Sequence, residues 1–315
     1  MHPTTPSAAA PEAFEGALRL TDWGLIRATG ADAATVLHGQ LTQDILQLDS
    51  AHARLAGYCT PKGRLLASFV VLRGAAADEI LLACSADLLP AALKRLSMFV
   101  LRAKCKLSDA SAEMAIHGLA GSAATRWLGD AAPAAPWSRT EVAGGLAVRL
   151  PDAEGVARYL WLAAADAPAP ALPALAADAW GWLEVASGVV RIVAATAEQF
   201  VPQMVNFELV GGVDFRKGCF PGQEVVARSQ YRGTLKRRAA LVQADAPLAP
   251  GQEVFHSADA GQPAGLVALA ASLDGGRHAA IVELKIAALE SGELRAGDSL
   301  LSPVALPYKI PVEAP

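Results

Sequence analysis

Cysteine is scarce: four thiols, Cys59, Cys84, Cys105 and Cys219, are spread over 315 residues with no C-x-x-C pair. That spacing disfavours a zinc knuckle and a disulfide framework, and it fits a reducing compartment. Long apolar runs are missing as well. The best of them, residues 160–177, is broken by Asp166 and three prolines, short of the roughly 20 uninterrupted residues of a membrane helix. Residues 1–13 are rich in Pro, Ala and Thr and lack the basic and apolar regions of a secretory leader. Disorder is expected there, in a cytoplasmic protein with no membrane partner. The six histidines show no H-E-x-x-H spacing, no G-x-S-x-G elbow occurs, and no G-K-[ST] follows a glycine-rich loop. These absences disfavour a zinc or serine hydrolase and exclude a P-loop, and no metal site is expected. Excess positive charge is lacking too: the formal net charge of −4 argues against a nucleic-acid partner held by a global field.

A hydrophobic fraction of 53% supplies a large core, and the length suits two or three domains. Residues 18–29 read as two short strands about a turn at Gly24, and residues 31–41 as a helix entered through Gly30. Arg54 to Thr60 and Leu65 to Leu72 flank Pro61-Lys62-Gly63, the pattern of a β-hairpin. Residues 79–84 form a further strand candidate. Residues 86–101 place Leu88, Leu89, Leu93, Leu96 and Phe99 on one helical face. Mixed strands, hairpins and helices predict an α+β fold. The stretch 166–176, rich in Ala and Pro, reads as a linker inside a core spanning 14–235. From 236 to 315, short strand candidates divided by Gly, Pro and Asp predict a separate β-barrel domain.

The chemistry concentrates in residues 214–238. Gly218 and Gly222 bracket Cys219-Phe220-Pro221, and an apolar-periodic helix is expected from Glu224 to Tyr231, with Pro221 in its first turn and Gly233 as its stop. A thiol just ahead of a helix N-terminus, beside Arg216 and Lys217, is a candidate thiolate nucleophile. A buried structural cysteine in a tight turn fits the same residues. Within 216–238, seven cations (Arg216, Lys217, Arg228, Arg232, Lys236, Arg237, Arg238) face only Glu224. They could grip a carboxylate tail or an RNA backbone, or form an ordinary solvated face. Trp23 and Trp180 are candidates for stacking on a heterocycle, although core packing is the commoner use of tryptophan.

Lys217 to Arg228, KGCFPGQEVVAR, resembles the signature K-G-C-[YF]-x-G-Q-E-x-V-A-R of the YgfZ family of folate-binding proteins, relatives of the glycine-cleavage T-protein (aminomethyltransferase). The likeness continues through Gln199 to Gln203, Asn206, Arg232-Gly233 and Arg237-Arg238. Near the N-terminus it includes Gly30-Ala31-Asp32, Gly39 to Asp44 and Pro61 to Arg64. It implies two interleaved α/β subdomains around a central folate pocket, followed by a C-terminal β-barrel. It also implies tetrahydrofolate, or a one-carbon derivative, as cofactor, and iron–sulfur client enzymes as partners, one of which thiomethylates tRNA. By this resemblance Trp23 and Trp180 contact the folate, Arg228 and Arg232 attract its glutamate tail, Cys219 is the functional thiol, and Asp44 matches the T-protein's catalytic aspartate. The T-protein pattern L-R-x-E-x-G departs here to Leu183-Glu184-Val185-Ala186-Ser187-Gly188, with an anion in the arginine position. The expected function is therefore a tetrahydrofolate-binding accessory protein for iron–sulfur cluster assembly or repair, and thereby for tRNA modification. A folate-dependent one-carbon transferase and an RNA-binding module built on residues 216–238 are the alternatives.

Overall fold

The computed structural model describes residues 11–231 and 235–311. Strand β1 (Gly16–Arg19) turns at Thr21-Asp22 into β2 (Trp23–Thr29), and α1 (Ala33–His38) follows. The turn expected at Gly24 is thus two residues early. Gly24 lies inside β2, opposite Cys84, and is glycine there because a side chain would meet Leu89 Cδ1 at 2.5 Å. The hairpin at Pro61–Gly63 joins β3 (Ala53–Cys59) to β4 (Leu65–Arg73), with Ala53 opposite Leu72 and Tyr58 opposite Ala67. Strand β5 (Glu79–Ser85) leads to α2 (Leu89–Ser97), shorter than its apolar periodicity predicts. Its chain leaves the helix at Met98, and Phe99, expected on the buried face, is 47% exposed.

The second half continues with β6 (Lys106–Asp109), β7 (Met114–Ala120), α3 (Gly121–Leu128), β8 (Arg139–Val142), β9 (Gly145–Ala153) and β10 (Val156–Ala164). Two antiparallel sheets result. Sheet one has the order β3-β4-β5-β2-β6, and sheet two the order β1-β7-β10-β9-β8. Because β1 pairs with β7 (Gly16 opposite Ala120) while β2 to β6 build the other sheet, the two halves interleave. Residues 173–175 run beside β1, exchanging backbone hydrogen bonds with Ala17 at 2.9 Å. Then come α4 (Ala177–Ala186) and α5 (Gln223–Tyr231).

The C-terminal strands are β11 (Arg237–Ala244), β12 (Glu253–His256), β13 (Asp259–Leu273), β14 (Arg277–Lys285), β15 (Leu294–Ala296) and β16 (Ser299–Val304). They close as a six-stranded antiparallel barrel, β11-β14-β13-β12-β15-β16. Period-two alternation sorts the core of sheet two. Leu160 and Leu162 of β10 face the main core, whereas Tyr159, Trp161 and Ala163 pack on the α3 side. The fold is mixed α+β, and among the described residues no helix is long and apolar enough to cross a membrane.

Candidate functional site

A cleft of about 450 Å³, counting its open mouth, lies where the two sheets meet. Trp23 and Phe69 line it from sheet one, Leu150 and Arg158 from sheet two, Glu184 from α4, and Arg191 from the loop that follows. Trp137 also lines it, with its backbone in the left-handed region at φ 67°. Its peptide ties the sheets together, donating to Arg149 O and accepting from Ala53 N–H, each at 2.8 Å.

Arg191 organises one wall. Its Nε and Nη2 donate to the two carboxylate oxygens of Glu184 at 3.0 and 3.1 Å, Nη2 also reaches Asp22 at 2.6 Å, and Nη1 donates to Ser85 Oγ at 2.7 Å. Burial opposes its charge, but Glu184 and Asp22 outweigh that and hold the guanidinium above its ordinary pKa. The anion at position 184 thus receives its cation from seven residues downstream. Arg191 also lies 5.0 Å above the Trp23 ring, a cation–π contact that fixes the indole. Trp23 Nε1 is buried and meets no acceptor among the described residues, an orphan donor within the wall of the cleft.

Trp180 sits one layer deeper. It is 2% exposed, its ring lies against Gly118 and 5.6 Å below the Arg158 guanidinium, and it does not line the cleft. Arg158 is itself 2% exposed. Its Nε and Nη2 both donate to Pro151 O, at 3.1 and 3.0 Å. Burial pushes its pKa down to about 10 against the pull of Glu184 and Asp152.

The K-G-C segment builds a second cluster. Cys219 is exposed, which removes the reading of a buried structural cysteine there. Cys59 and Cys84 are the buried thiols, each pushed up to about 12 by burial. Lys217 turns inward, donating to His38 O at 2.6 Å and Leu41 O at 3.0 Å, with its ammonium 4.9 Å over the Phe220 ring. Burial pushes Lys217 down to about 8, against the pull of Asp44, Asp214 and Cys219. Asp44 accepts the Gln47 N–H at 3.1 Å and lies 3.1 Å from His38 Nδ1. Burial would raise its carboxyl, but these partners outweigh it and hold the group below the usual range. Asp44 and Cys219 belong to this cluster and do not line the cleft.

Two glycines seat the segment. Gly222, at φ +81°, rests on the β3–β4 turn: a Cβ there would lie 2.4 Å from Thr60 O and 2.6 Å from Gly63 Cα. Gly63, at φ +73°, faces Val225 of α5 just as closely, its Cβ falling 2.9 Å from Val225 Cβ. Pro221 precedes α5 rather than opening it, because Gly222 takes the positive-φ position immediately before the helix.

The basic stretch disperses. Arg237 pairs with Glu283, Arg238 with Glu208 and Arg228 with Glu224, while Lys217 is buried. Arg216 and Lys236 are the exposed remainder among the described residues. Arg228 lies on the exposed side of α5, away from the cleft lining, and Arg232 and Gly233 lie outside the described residues. Arg158 and Arg191 carry no motif. Their one sequence signal is a charge on an apolar period: Arg158 shares the inward face of β10 with Leu160 and Leu162.

No family model matches the chain. It is 36% identical over 231 residues to the tRNA-modifying protein YgfZ of Edwardsiella ictaluri (strain 93-146), covering 70% of this chain and 68% of that protein. To the protein of that name from Klebsiella pneumoniae (strain 342) it is 30% identical over 274 residues, 82% of each chain. Among solved structures, the glycine cleavage system aminomethyltransferase T from Bartonella henselae matches with a TM-score of 0.71 at 16% identity. The match covers 94% of this chain and 88% of that one, and it establishes a shared fold.

Proposed function

The chain belongs to the YgfZ family, and from that membership we propose that it binds a reduced folate in the inter-sheet cleft and supports iron–sulfur cluster assembly or repair, and thereby tRNA modification. One observation carries the ligand reading: in an aminomethyltransferase fold, the cleft between the sheets is lined by the indole of Trp23 beside the buried Arg158. A flat heterocycle with acceptor atoms on its edge suits both, stacking on the ring and accepting from the guanidinium. Trp23 would stack on or cap the pterin, and the Glu184–Arg191 pair would keep that indole in place. When bound, tetrahydrofolate supplies one-carbon carrier chemistry. Cys219, exposed and outside the cleft lining, would serve as the thiol that meets the client protein. Its seat on Gly222 and Gly63 keeps it at a fixed place on the surface.

Anaerobic titration of tetrahydrofolate, followed by tryptophan fluorescence, tests the reading. Saturable quenching is expected, weakened about 10-fold in Trp23→Phe, which keeps a ring but loses part of the stacking area. Absence of binding at millimolar folate would refute it. Turnover as a one-carbon transferase would need Asp44 beside the ligand. Catalytic consumption of 5,10-methylene-tetrahydrofolate with a candidate acceptor would establish that alternative.

A further inference from the structure

We infer that Arg158 is the recognition element of the cleft, built to receive a planar group that offers two adjacent hydrogen-bond acceptors. A guanidinium carries five N–H donors in a fixed fork. One on Nε and one on Nη2 go to the single oxygen of Pro151. Neither proton of Nη1 meets an acceptor among the described residues, and Nη1 is not among the occluded unpaired atoms. Nη1 therefore keeps some exposed surface, and Arg158 lines the cleft.

Nor, among the described residues, does a carboxylate pair directly with this cation. Both oxygens of Glu184 accept from Arg191, and Asp152 is engaged by Arg149 at 2.6 Å. A 2%-exposed arginine with only a carbonyl partner is an expensive arrangement for stability alone. Its setting is nevertheless well defined. A register shift between Val156 and Arg158 aims the side chain, and the Trp180 ring backs one face of the guanidinium. The depressed pKa accords with a charge left for a ligand to satisfy.

The identity of that ligand rests on the folate reading; the incompleteness of Arg158 does not. Tetrahydrofolate holds adjacent acceptors in two places, the edge of its pterin and the carboxylates of its glutamate tail. 6-Methyltetrahydropterin and p-aminobenzoylglutamate separate them as probes.

The experiment pairs ligand-free thermal melts with anaerobic titrations of wild type, Arg158→Met and Arg158→Lys. Arg158→Met is expected to melt no lower than wild type without ligand and to bind tetrahydrofolate at least about 10-fold more weakly. Arg158→Lys, which keeps the charge without the fork, loses about 5- to 10-fold. The probe whose binding falls in parallel identifies the acceptor pair. Undiminished tetrahydrofolate binding in both variants overturns the inference and leaves the folate reading intact. If wild type binds no folate, that reading falls, and the melts decide for Arg158. A melt at or above wild type in Arg158→Met supports a cation awaiting another ligand, and a clear drop makes it structural and overturns the inference. Should Arg158→Met fail to fold, Arg158→Lys decides: folded with weakened binding supports, folded with full binding overturns.

Discussion

Gly222→Ala tests the seat of the cysteine segment most directly. Its cost has two parts. Holding an alanine at φ +81° costs about 1–2 kcal/mol. The added methyl would then sit 2.4 Å from Thr60 O and 2.6 Å from the Gly63 backbone. Both obstacles are main chain, so relief requires moving α5 off the β3–β4 turn, an overpacking strain of about 1–3 kcal/mol. A total near 3 kcal/mol is expected. Gly155 is the control, at φ +72° with nothing within 4 Å of its added Cβ. Gly155→Ala is therefore expected to cost only the backbone part, about 1 kcal/mol. Urea unfolding of wild type and both variants gives the comparison, and Gly63→Ala completes a cycle. Either substitution alone pushes the two segments apart, so the double variant should cost less than the sum of the singles. Equal losses for Gly222→Ala and Gly155→Ala, or strict additivity in the cycle, would refute the glycine-on-glycine seat.

Two further outcomes follow from the same cluster. Cys219→Ala is expected to melt with wild type and bind folate unchanged, yet to lose the iron–sulfur-dependent phenotype in cells; in the native wild-type protein a bulky thiol reagent should modify Cys219 before Cys59 or Cys84. A wild-type phenotype would remove the thiol role. Lys217 sets a pH dependence: its folded pKa of about 8 lies below the unfolded value of about 10.4. Between those values the unfolded chain binds a proton that the folded one does not, so stability rises with pH by up to about 3 kcal/mol, and below pH 8 the penalty is fully present. Lys217→Met should flatten that rise, and parallel pH–stability curves for the two proteins would contradict it.

Local sequence carried much of this architecture. Proline and glycine at 61–63 between apolar runs marked the β3–β4 hairpin, and short Gly- and Pro-bounded runs marked most barrel strands. What escaped was set by distant partners. Nothing near Gly16 signals pairing with Ala120, and Gly24 resembles a turn until Leu89 arrives from α2. The basic stretch read as a surface patch because Glu208 and Glu283, which neutralise Arg238 and Arg237, lie elsewhere in the chain. The cleft divides in the same way. Trp23 was legible as a ring beside a turn, whereas Arg158 shows its role only once both sheets enclose it.

The interleaving of the sheets has a consequence for synthesis. Sheet one, from Trp23 to Asp109, can close as soon as its last strand leaves the ribosome. Strand β1, made first, must wait roughly a hundred residues for β7, and longer for residues 173–175. At the usual rate of about 5–20 residues per second, that is several seconds with an unpaired strand. The cleft, drawn from both sheets and from Arg191, cannot be complete until both sheets and that loop have been made. A nascent chain thus offers no complete ligand site until well past its midpoint, whatever sheet one has already formed.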